Sequence, residues 1–327
     1  MCKSIDLSIV IVNWNVRDLL RACLNSILSQ ARLVSQYTWE LVSTTYTCEI
    51  LVVDSASSDD SAAMVEREFP AIRLWASDAN LGYAGGNNLG IGYSRGQYVL
   101  LLNPDTVVRP GALQTMTAYL DAHPDVGVLG PRLYYPGGTP LGETQSSRRR
   151  FPTFEIALIE STFLEQWFPN HPALKRYRVL DQPDDATCEV DWVTGACLLV
   201  RKTVIDQVGL IDENYFMYSE ELDWQKRIRQ AGWRVVYLPQ AEVIHYEGKS
   251  SEQVAAFRDI RFQKSKILYF KRHHGKFVGE MIRYWLLFHY LYKWSTDAAK
   301  WLLGHKRALR QQRMQMYVKV LQSRLRL

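Results

Sequence analysis

Leu7-Ser-Ile-Val-Ile-Val-Asn13 is an apolar, β-branched run that closes on an amide, and Glu49-Ile-Leu-Val-Val-Asp54 repeats the pattern and closes on an acid. Neither run alternates polar with apolar residues, so neither suits a strand with one wet face. Both read as strands buried on two faces, the condition of a parallel sheet between helix layers. Leu19 to Leu28 sets Leu, Ala and Ile on one helical face, and Ser57-Ser-Asp-Asp60 offers N-cap chemistry to a helix running to about Glu68. Ile72 to Ala76 and Tyr98-Val-Leu-Leu-Leu-Asn103 follow as strands, separated by Asn80-Leu-Gly-Tyr-Ala-Gly-Gly-Asn-Asn88, a Gly/Asn-rich loop opening a helix. Pro110 suits the first position of a helix that ends near His123-Pro124, and Val126 to Gly130 adds another strand. This βαβα series predicts an α/β, Rossmann-like domain with a mostly parallel, doubly wound sheet. Only Ala31 to Thr47 has no clean period, and it reads as an insertion.

After Pro131 the alternation breaks. Residues 132–190 are rich in Pro, Arg and aromatics around Ser146-Ser-Arg-Arg-Arg150. Regularity returns at Trp192-Val-Thr-Gly-Ala-Cys-Leu-Leu-Val-Arg201, then in a polar helix from about Glu220 to Ala231 capped at Gly232, and in strands at Arg234 to Leu238 and near Val243. The expected organisation is a catalytic domain over 1–250, with a nucleotide-binding half to 131 and an acceptor half from 132. A helical tail over 251–327 completes it.

Charge divides along the same line. Residues 255–327 carry 17 Lys+Arg against 3 Asp+Glu, a net of +14, and the remainder carries 22 against 31, a net of −9. An acidic body with a basic tail points to an anionic partner for the tail. The five cysteines are scattered, with no CxxC pair or metal-ligand spacing, which fits a reducing cytosol. No signal peptide is read at the start, and no run of about 18 uncharged apolar residues predicts a spanning helix.

Ligands of open parallel sheets bind beyond the carboxyl ends of the strands. Asn13, Asn15, Asp54, the Asn80–Asn88 loop and Asn103-Pro104-Asp105 collect there. Asp54 suits a nucleobase N–H or a ribose hydroxyl, and equally suits capping the next helix. Gly82, Gly85 and Gly86 suit a diphosphate cradled by backbone N–H groups, or an ordinary turn. An apolar strand that ends in Asp105 presents a hard oxygen ligand for Mg²⁺ or Mn²⁺, though Asn-Pro-Asp is also a common turn. Phe216-Met-Tyr-Ser-Glu220-Glu221-Leu-Asp223 sets three acids at a helix start, where they complement the helix dipole or supply a general base. His245, just after a short strand, is a further metal ligand or a packed histidine.

Taken in order, these pieces resemble a family 2 glycosyltransferase, and most closely its rhamnosyltransferase-like branch, over residues 7 to about 250. The likeness rests on Ile-Val-Asn-Trp-Asn15, Val-Val-Asp54 with Ser55 and Ser57, Asn80 to Asn88, and Leu-Asn103-Pro-Asp105-Thr106. It continues in Gly195-Ala196, Tyr218-Ser-Glu220-Glu221-Leu-Asp223 and His245-Tyr-Glu-Gly248-Lys-Ser250. It implies a GT-A type fold, in which Asp54 contacts the base with help from Asn13 and Asn15. Asn80, Gly82, Gly85, Asn87 and Asn103 would line the sugar-nucleotide pocket, and Asp105 would bind a divalent metal with His245. Trp192, Gly195 and Ala196 would face the acceptor. Glu221 matches the second acid of the family's Glu-Asp motif and would deprotonate the acceptor hydroxyl for a single inverting displacement. The chain departs from the pattern twice: the metal motif opens on Asn103 rather than Asp, and Glu221 stands where Asp is usual. The second departure leaves the base to be chosen among Glu221, Glu220 and Asp223.

The implied reaction moves L-rhamnose from dTDP-rhamnose onto a saccharide acceptor, expected to be polyprenyl-diphosphate-linked, in cell-surface polysaccharide synthesis. UDP-galactofuranose and UDP-N-acetylglucosamine are rival donors, and a catalytically silent glycan-binding protein is the rival from another class. A dinucleotide oxidoreductase would want GxGxxG after strand one, where this chain has Asn13-Trp-Asn-Val. In the tail, Tyr284-Trp285, Phe288, Tyr290, Tyr292, Trp294 and Trp301 dominate a helix with one polar stripe. That composition suits an interfacial helix on anionic lipid, or a helix packed on the catalytic domain. Nucleic acid is not an expected partner, because no recognised motif accompanies the charge. The expected place is the cytoplasm, peripheral on the cytoplasmic face of the membrane.

Overall fold

The protein is described by a computed structural model covering residues 5–137, 143–247 and 255–327. Contacts divide the chain into two units. One comprises Met1–Phe151, Val179–Phe216 and Glu220–Ser250, and the other Pro152–Arg178, Met217–Ser219 and Ser251–Leu327. This differs from a division at residue 251, because residues 152–178 join the tail.

The first unit is an α/β layer structure. Its first half runs β1 (Leu7–Asn13), α1 (Arg17–Leu28), β2 (Ala31–Ser35), β3 (Thr38–Leu41), β4 (Thr47–Ser55), α2 (Ser61–Glu68), β5 (Arg73–Ser77), α3 (Gly82–Tyr93) and β6 (Tyr98–Leu102). β7 (Thr106–Val108), α4 (Ala112–Ala122), β8 (Val126–Tyr134) and β9 (Arg148–Arg149) follow. The other unit then takes α5 (Phe154–Ile159), α6 (Phe163–Trp167) and α7 (Pro172–Tyr177). The first resumes with β10 (Cys188–Val190), β11 (Trp192–Val193), β12 (Cys197–Arg201), α8 (Lys202–Val208), α9 (Glu220–Gln230) and β13 (Arg234–His245).

β5, β4, β1 and β6 run parallel, as the unbroken apolar runs predict. Both faces are covered. Ile9, Ile11, Leu100 and Leu102 pack against α1, α2 and α4, while Val10, Val99 and Leu101 pack toward α3, α8 and α9. Two glycines set how closely α3 approaches: a Cβ on Gly86 would lie 2.6 Å from Val12 Cγ1, and one on Gly90 2.2 Å from Val10 Cγ1. Their role is helix–strand contact.

Beyond β6 the sheet turns mixed. β12 lies antiparallel between β6 and β8, β8 pairs parallel with β13, and β7 pairs antiparallel with β13. Arg234 to His245 is one strand carrying an irregularity between Leu238 and Glu242, where two strands are expected from the sequence. Ala31 to Thr47 is a hairpin that extends the sheet from β4. Within β2 and β3 only Leu41 is buried, so an edge hairpin of this kind leaves no period to read.

The second unit joins α5, α6 and α7 with α10 (Ala255–His274), α11 (Lys276–Leu302) and α12 (Arg307–Ser323). Residues 152–178 belong with the tail because aromatic packing ties them to it. Phe163 lies 4.6 Å from Tyr292 and 5.4 Å from Trp285 between ring centroids, and Trp285 Nε1 donates to Leu158 O at 2.9 Å. Lys266 Nζ donates to Glu160 O at 2.9 Å. Among the described residues, no helix is long and apolar enough to cross a membrane.

Candidate active site

Parallel register brings the polar strand ends to one edge. Asn13 stands beside Asp54, and Ile11 beside Leu102, so Asn103 follows at the same level. Asn13 Nδ2 donates to Asp54 Oδ1 at 2.8 Å and to Ser57 Oγ at 3.1 Å, and Ser57 N donates to Asp54 Oδ2 at 3.0 Å. Both oxygens of buried Asp54 are therefore engaged in holding Asn13 and the β4–α2 turn. Ser57 Oγ also takes Asn15 N at 3.0 Å, and Asn15 Oδ1 takes Ser58 N at 2.7 Å. Asn13 Oδ1 is buried with no hydrogen-bond partner among the described residues. A cavity of ≈ 430 Å³ opens beside this knot, lined by Asn15, Arg17 and Asp59 among others. The helix N-cap is Asp60, without a side-chain bond; Asp59 Oδ1 instead accepts from Ser61 N at 3.2 Å.

The Gly/Asn segment is already helical from Gly82. Asn80 Oδ1 accepts Gly82 N at 2.9 Å, and Phe216 O accepts Tyr83 N at 3.0 Å. These two amides are thus taken internally, which corrects the picture of Gly82 offering a free N–H to a diphosphate. Gly82 has φ +67°, and a Cβ there would lie 2.5 Å from Phe216 O, so glycine is required by conformation and by contact. Gly85 meets nothing closer than 3.5 Å. Buried Asn87 donates to Tyr83 O at 2.9 Å.

Antiparallel pairing delivers the other half of the site. β12 starts where β6 ends, so Ala196 O accepts Asn103 N at 2.9 Å. β7 pairs with β13 so that Thr106 faces His245, and Tyr246 N donates to Asp105 O at 2.9 Å. Asp105 Oδ1 and His245 Nε2 end 3.4 Å apart, both side chains largely buried, with Asn103 Nδ2 3.5 Å from the same nitrogen. Gln145 clamps the histidine: its Oε1 lies 2.9 Å from Nδ1 and its Nε2 donates to His245 O at 2.6 Å. A ring whose Nδ1–H donates to Gln145 presents the Nε2 lone pair to Asp105, two acceptors facing across a cation-sized gap. That arrangement fits a divalent metal held by Asp105 and His245, with the remaining positions left to water and phosphate oxygens. No group of three or more His, Cys, Asp or Glu gathers among the described residues, so protein ligands alone would not complete the shell. The Gly248-Lys-Ser250 end of the histidine fragment lies outside the described residues.

The three acids at the start of α9 divide sharply. Asp223, fully buried, pairs with Arg227 at 3.1 Å, an i,i+4 ion pair within the helix. Glu220 and Glu221 have no such cation, and Oε2 of each is buried without a hydrogen-bond partner among the described residues. Burial, and then the charge of Glu221, pushes the Glu220 carboxyl well above the ordinary range. Burial also raises Glu221, opposed by backbone N–H groups of Glu221, Gly195 and Leu222. Those amides favour the proton on Glu220 and the charge on Glu221. Gly195 touches the same group from the other side, since a Cβ there would lie 2.6 Å from Tyr83 Oη and 3.6 Å from Glu221 Cβ. Tyr83 Oη donates to Gly195 O at 2.8 Å, and burial, then Glu221 and Glu220, push its phenol well above the usual value. Trp192 is buried, its indole N–H spent on Arg150 O at 2.9 Å.

Tyr83, Gln145 and Gln225 are residues that sequence reasoning missed, and Ser57, quoted there for the helix cap and the family fragment, gains a further role in holding Asn13 and Asn15. Gln225 ties α9 to the Gly195 segment by accepting from Val193 N at 2.8 Å and donating to Val193 O at 2.7 Å. No pattern singles out Gln145 or Gln225. Tyr83, inside a fragment already singled out, was the one within reach.

The sheet is covered on both faces, and its carboxyl edge gathers asparagines and a carboxylate–histidine pair beside two glutamates that have no side-chain cation among the described residues. The family 2 glycosyl transferase model matches residues 8–185 and the glycosyl transferase family group 2 model residues 98–326. The chain belongs to glycosyltransferase family 2, and it is rhamnosyltransferase-like within it. It is 30% identical over 248 residues to the N-acetylglucosaminyl-diphospho-decaprenol L-rhamnosyltransferase of Mycobacterium tuberculosis, covering 72% of this chain and 79% of that protein. It is 25% identical over 172 residues to rhamnosyltransferase WbbL of Escherichia coli, covering 50% and 61%. The mannosyltransferase PcManGT of Pyrobaculum calidifontis, solved with GDP-Man and Mn²⁺, shares the fold at a TM-score of 0.53 and 15% identity over 96% of this chain and 84% of that one. The fold is of the GT-A type.

Proposed function

We propose that this glycosyltransferase moves L-rhamnose from dTDP-rhamnose onto a saccharide carried on a polyprenyl diphosphate, inverting the anomeric centre. The observation that carries the chemistry is Glu221, half-buried beside the Gly195 segment, its enclosed Oε2 without a hydrogen-bond partner among the described residues. A carboxylate raised by burial is the stronger base, matched to a sugar hydroxyl. It takes the acceptor proton as the acceptor oxygen attacks the anomeric carbon; the bond to the nucleoside diphosphate breaks on the opposite face. Tyr83 and Gln225 keep the Gly195 segment and the base in place. Asp105 and His245 would hold Mg²⁺ or Mn²⁺, which supplies charge neutralisation for the departing diphosphate. Donor and acceptor are supported by the name of the mycobacterial relative, an N-acetylglucosaminyl-diphospho-decaprenol L-rhamnosyltransferase. A lipid-linked acceptor would hold the enzyme at the cytoplasmic membrane surface, where the basic tail meets anionic lipid.

The test offers dTDP-rhamnose, UDP-galactofuranose and UDP-N-acetylglucosamine separately, with a short polyprenyl-diphosphate-linked N-acetylglucosamine acceptor. Product formed from dTDP-rhamnose alone, with an NMR coupling pattern of inverted configuration, is expected. Turnover with a UDP-sugar instead would replace the donor, and a retained configuration would remove the single displacement. Asp105→Ala should lose most transfer and most metal-dependent donor binding, with EDTA reproducing the loss in the unaltered protein. Equal donor affinity with and without metal would reject the metal assignment.

A further inference from the structure

Helix α11 is apolar on two opposite sides. Its inner side, with Ile282, Leu286 and Tyr290, is buried in the helical unit. Its outer side carries Phe277, Met281, Tyr284, Phe288, Leu291 and Leu302, all exposed, from 43% at Met281 to 77% at Phe277. The first five are spaced four, three, four and three residues apart, which is one stripe on a helix of 3.6 residues per turn. Ser295, also on that line, continues it toward Leu302 without a charge. The stripe runs about 37 Å at 1.5 Å per residue. Trp167, 57% exposed and edge-on to Tyr292 at 5.9 Å, widens it.

An exposed apolar face of this length marks a surface that something covers. Charge selects the occupant. Exposed Arg272 and Lys276 stand at one end of the stripe and Lys300, Lys306 and Arg307 at the other, within a segment of net +14. A second copy would bring the same positive charge against itself, whereas an anionic bilayer is complementary to it. We infer that α11 lies flat on an anionic lipid surface, with the stripe from Phe277 to Leu302 at the headgroup–acyl boundary and the flanking cations at phosphate level. The inference rests on the membrane-surface reading of the tail and adds which face makes the contact.

The full chain is sedimented with vesicles of phosphatidylcholine, and of phosphatidylcholine mixed with phosphatidylglycerol, at low and high salt. Binding to the mixed vesicles is expected, weakened but not abolished by salt. Phe277→Asp with Leu302→Asp, two highly exposed sites, should lower partitioning roughly a hundredfold or more while leaving the melting curve and transfer to a soluble acceptor analogue unchanged. Met281→Asp with Leu291→Asp repeats the test along the same line should the first pair melt early. Lys276→Glu with Lys300→Glu should remove chiefly the salt-sensitive part. Strong vesicle binding that survives both Asp pairs overturns the assigned face and leaves the membrane reading standing. A wild-type chain that ignores anionic vesicles at low salt overturns both. A dimer in light scattering that the Asp pairs dissolve would give the stripe to a second copy and likewise overturn the proposal.

Discussion

Glu49 is a buried carboxylate at the amino edge of the sheet and Glu221 a half-buried one, with Oε2 enclosed, at its carboxyl edge, and the protein treats them in opposite ways. Glu49 Oε1 accepts from Ser8 Oγ and from Arg95 N, each at 2.7 Å, while Oε2 is paired with Arg95 at 2.7 Å and Arg73 at 3.0 Å. Burial works to raise its carboxyl, but Arg95, Ser8 and the Arg95 amide outweigh this and hold it below the ordinary range. Glu221 has no side-chain cation among the described residues, so burial outweighs the backbone N–H groups and its carboxyl rises. Complete pairing makes a carboxylate inert and structural. Incomplete pairing leaves a basic oxygen open to a hydroxyl, at a cost in stability.

The comparison is broken most forcefully at Glu221. Glu221→Gln keeps the shape and removes the proposed base, and transfer should fall on the order of 10²–10⁴-fold, about 3–5 kcal/mol in barrier, with donor affinity retained in a binding titration. In the unaltered enzyme the acid limb of the pH–rate profile should lie above the ordinary carboxylate range, because the base must lose a proton that burial retains. If Glu220→Gln silences turnover and Glu221→Gln does not, the two acids exchange roles.

Glu49→Gln should do the reverse, leaving turnover per folded molecule intact and lowering stability. A fully buried broken pair costs about 3–5 kcal/mol, and half-exposed Arg95 can recover solvation, so ~2–3 kcal/mol is expected in urea unfolding. The loss should be complete above the unfolded carboxyl pKa, near 4.5, and fade as pH falls through the lowered native value. Asp223→Asn breaks the pair to Arg227 and should cost about 1–2 kcal/mol in the same assay, with rates changed no more than severalfold. A large rate loss there with the fold intact would move the base to Asp223.

The smallest effect has the opposite sign. Glu220→Gln removes a buried acid with no cation beside it among the described residues, so the protein should melt roughly 1–3 °C higher at pH 7. A group with a raised native pKa contributes its stability below the unfolded pKa and loses it as pH rises toward the native one. The gain should therefore vanish at about pH 4, and a gain independent of pH would contradict the unpaired-acid account.

Some of this was legible without coordinates and some was not. Unbroken runs such as Leu7–Asn13 and Tyr98–Leu102 carry their own evidence for two-faced burial, so the parallel half of the sheet could be read from them. The hairpin of β2 and β3 could not, because its side chains are mostly exposed. The glycines of the Asn80–Asn88 segment were visible, but their reasons were not: Gly82 answers to Phe216, and Gly86 and Gly90 to side chains of β1. Residues 152–178 carry no local sign that they pack on helices more than a hundred residues later, since Phe163 meets Trp285 and Tyr292 only in three dimensions.

By itself the sequence determined the identities that chemistry needs: an acid and amides at strand ends, three acids opening one helix, and a basic aromatic tail. Only the tertiary structure decided how they are placed and paired. It set Asp105 beside His245 across 140 residues through the β7–β13 pairing, and it brought Gln145 to fix the ring. It also spent Asp223 on Arg227 and left Oε2 of Glu220 and of Glu221 without a hydrogen-bond partner among the described residues. The physical reason is that a side chain's residue type gives its possible charges, whereas desolvation and the count of nearby donors, both set by distant segments, choose among them.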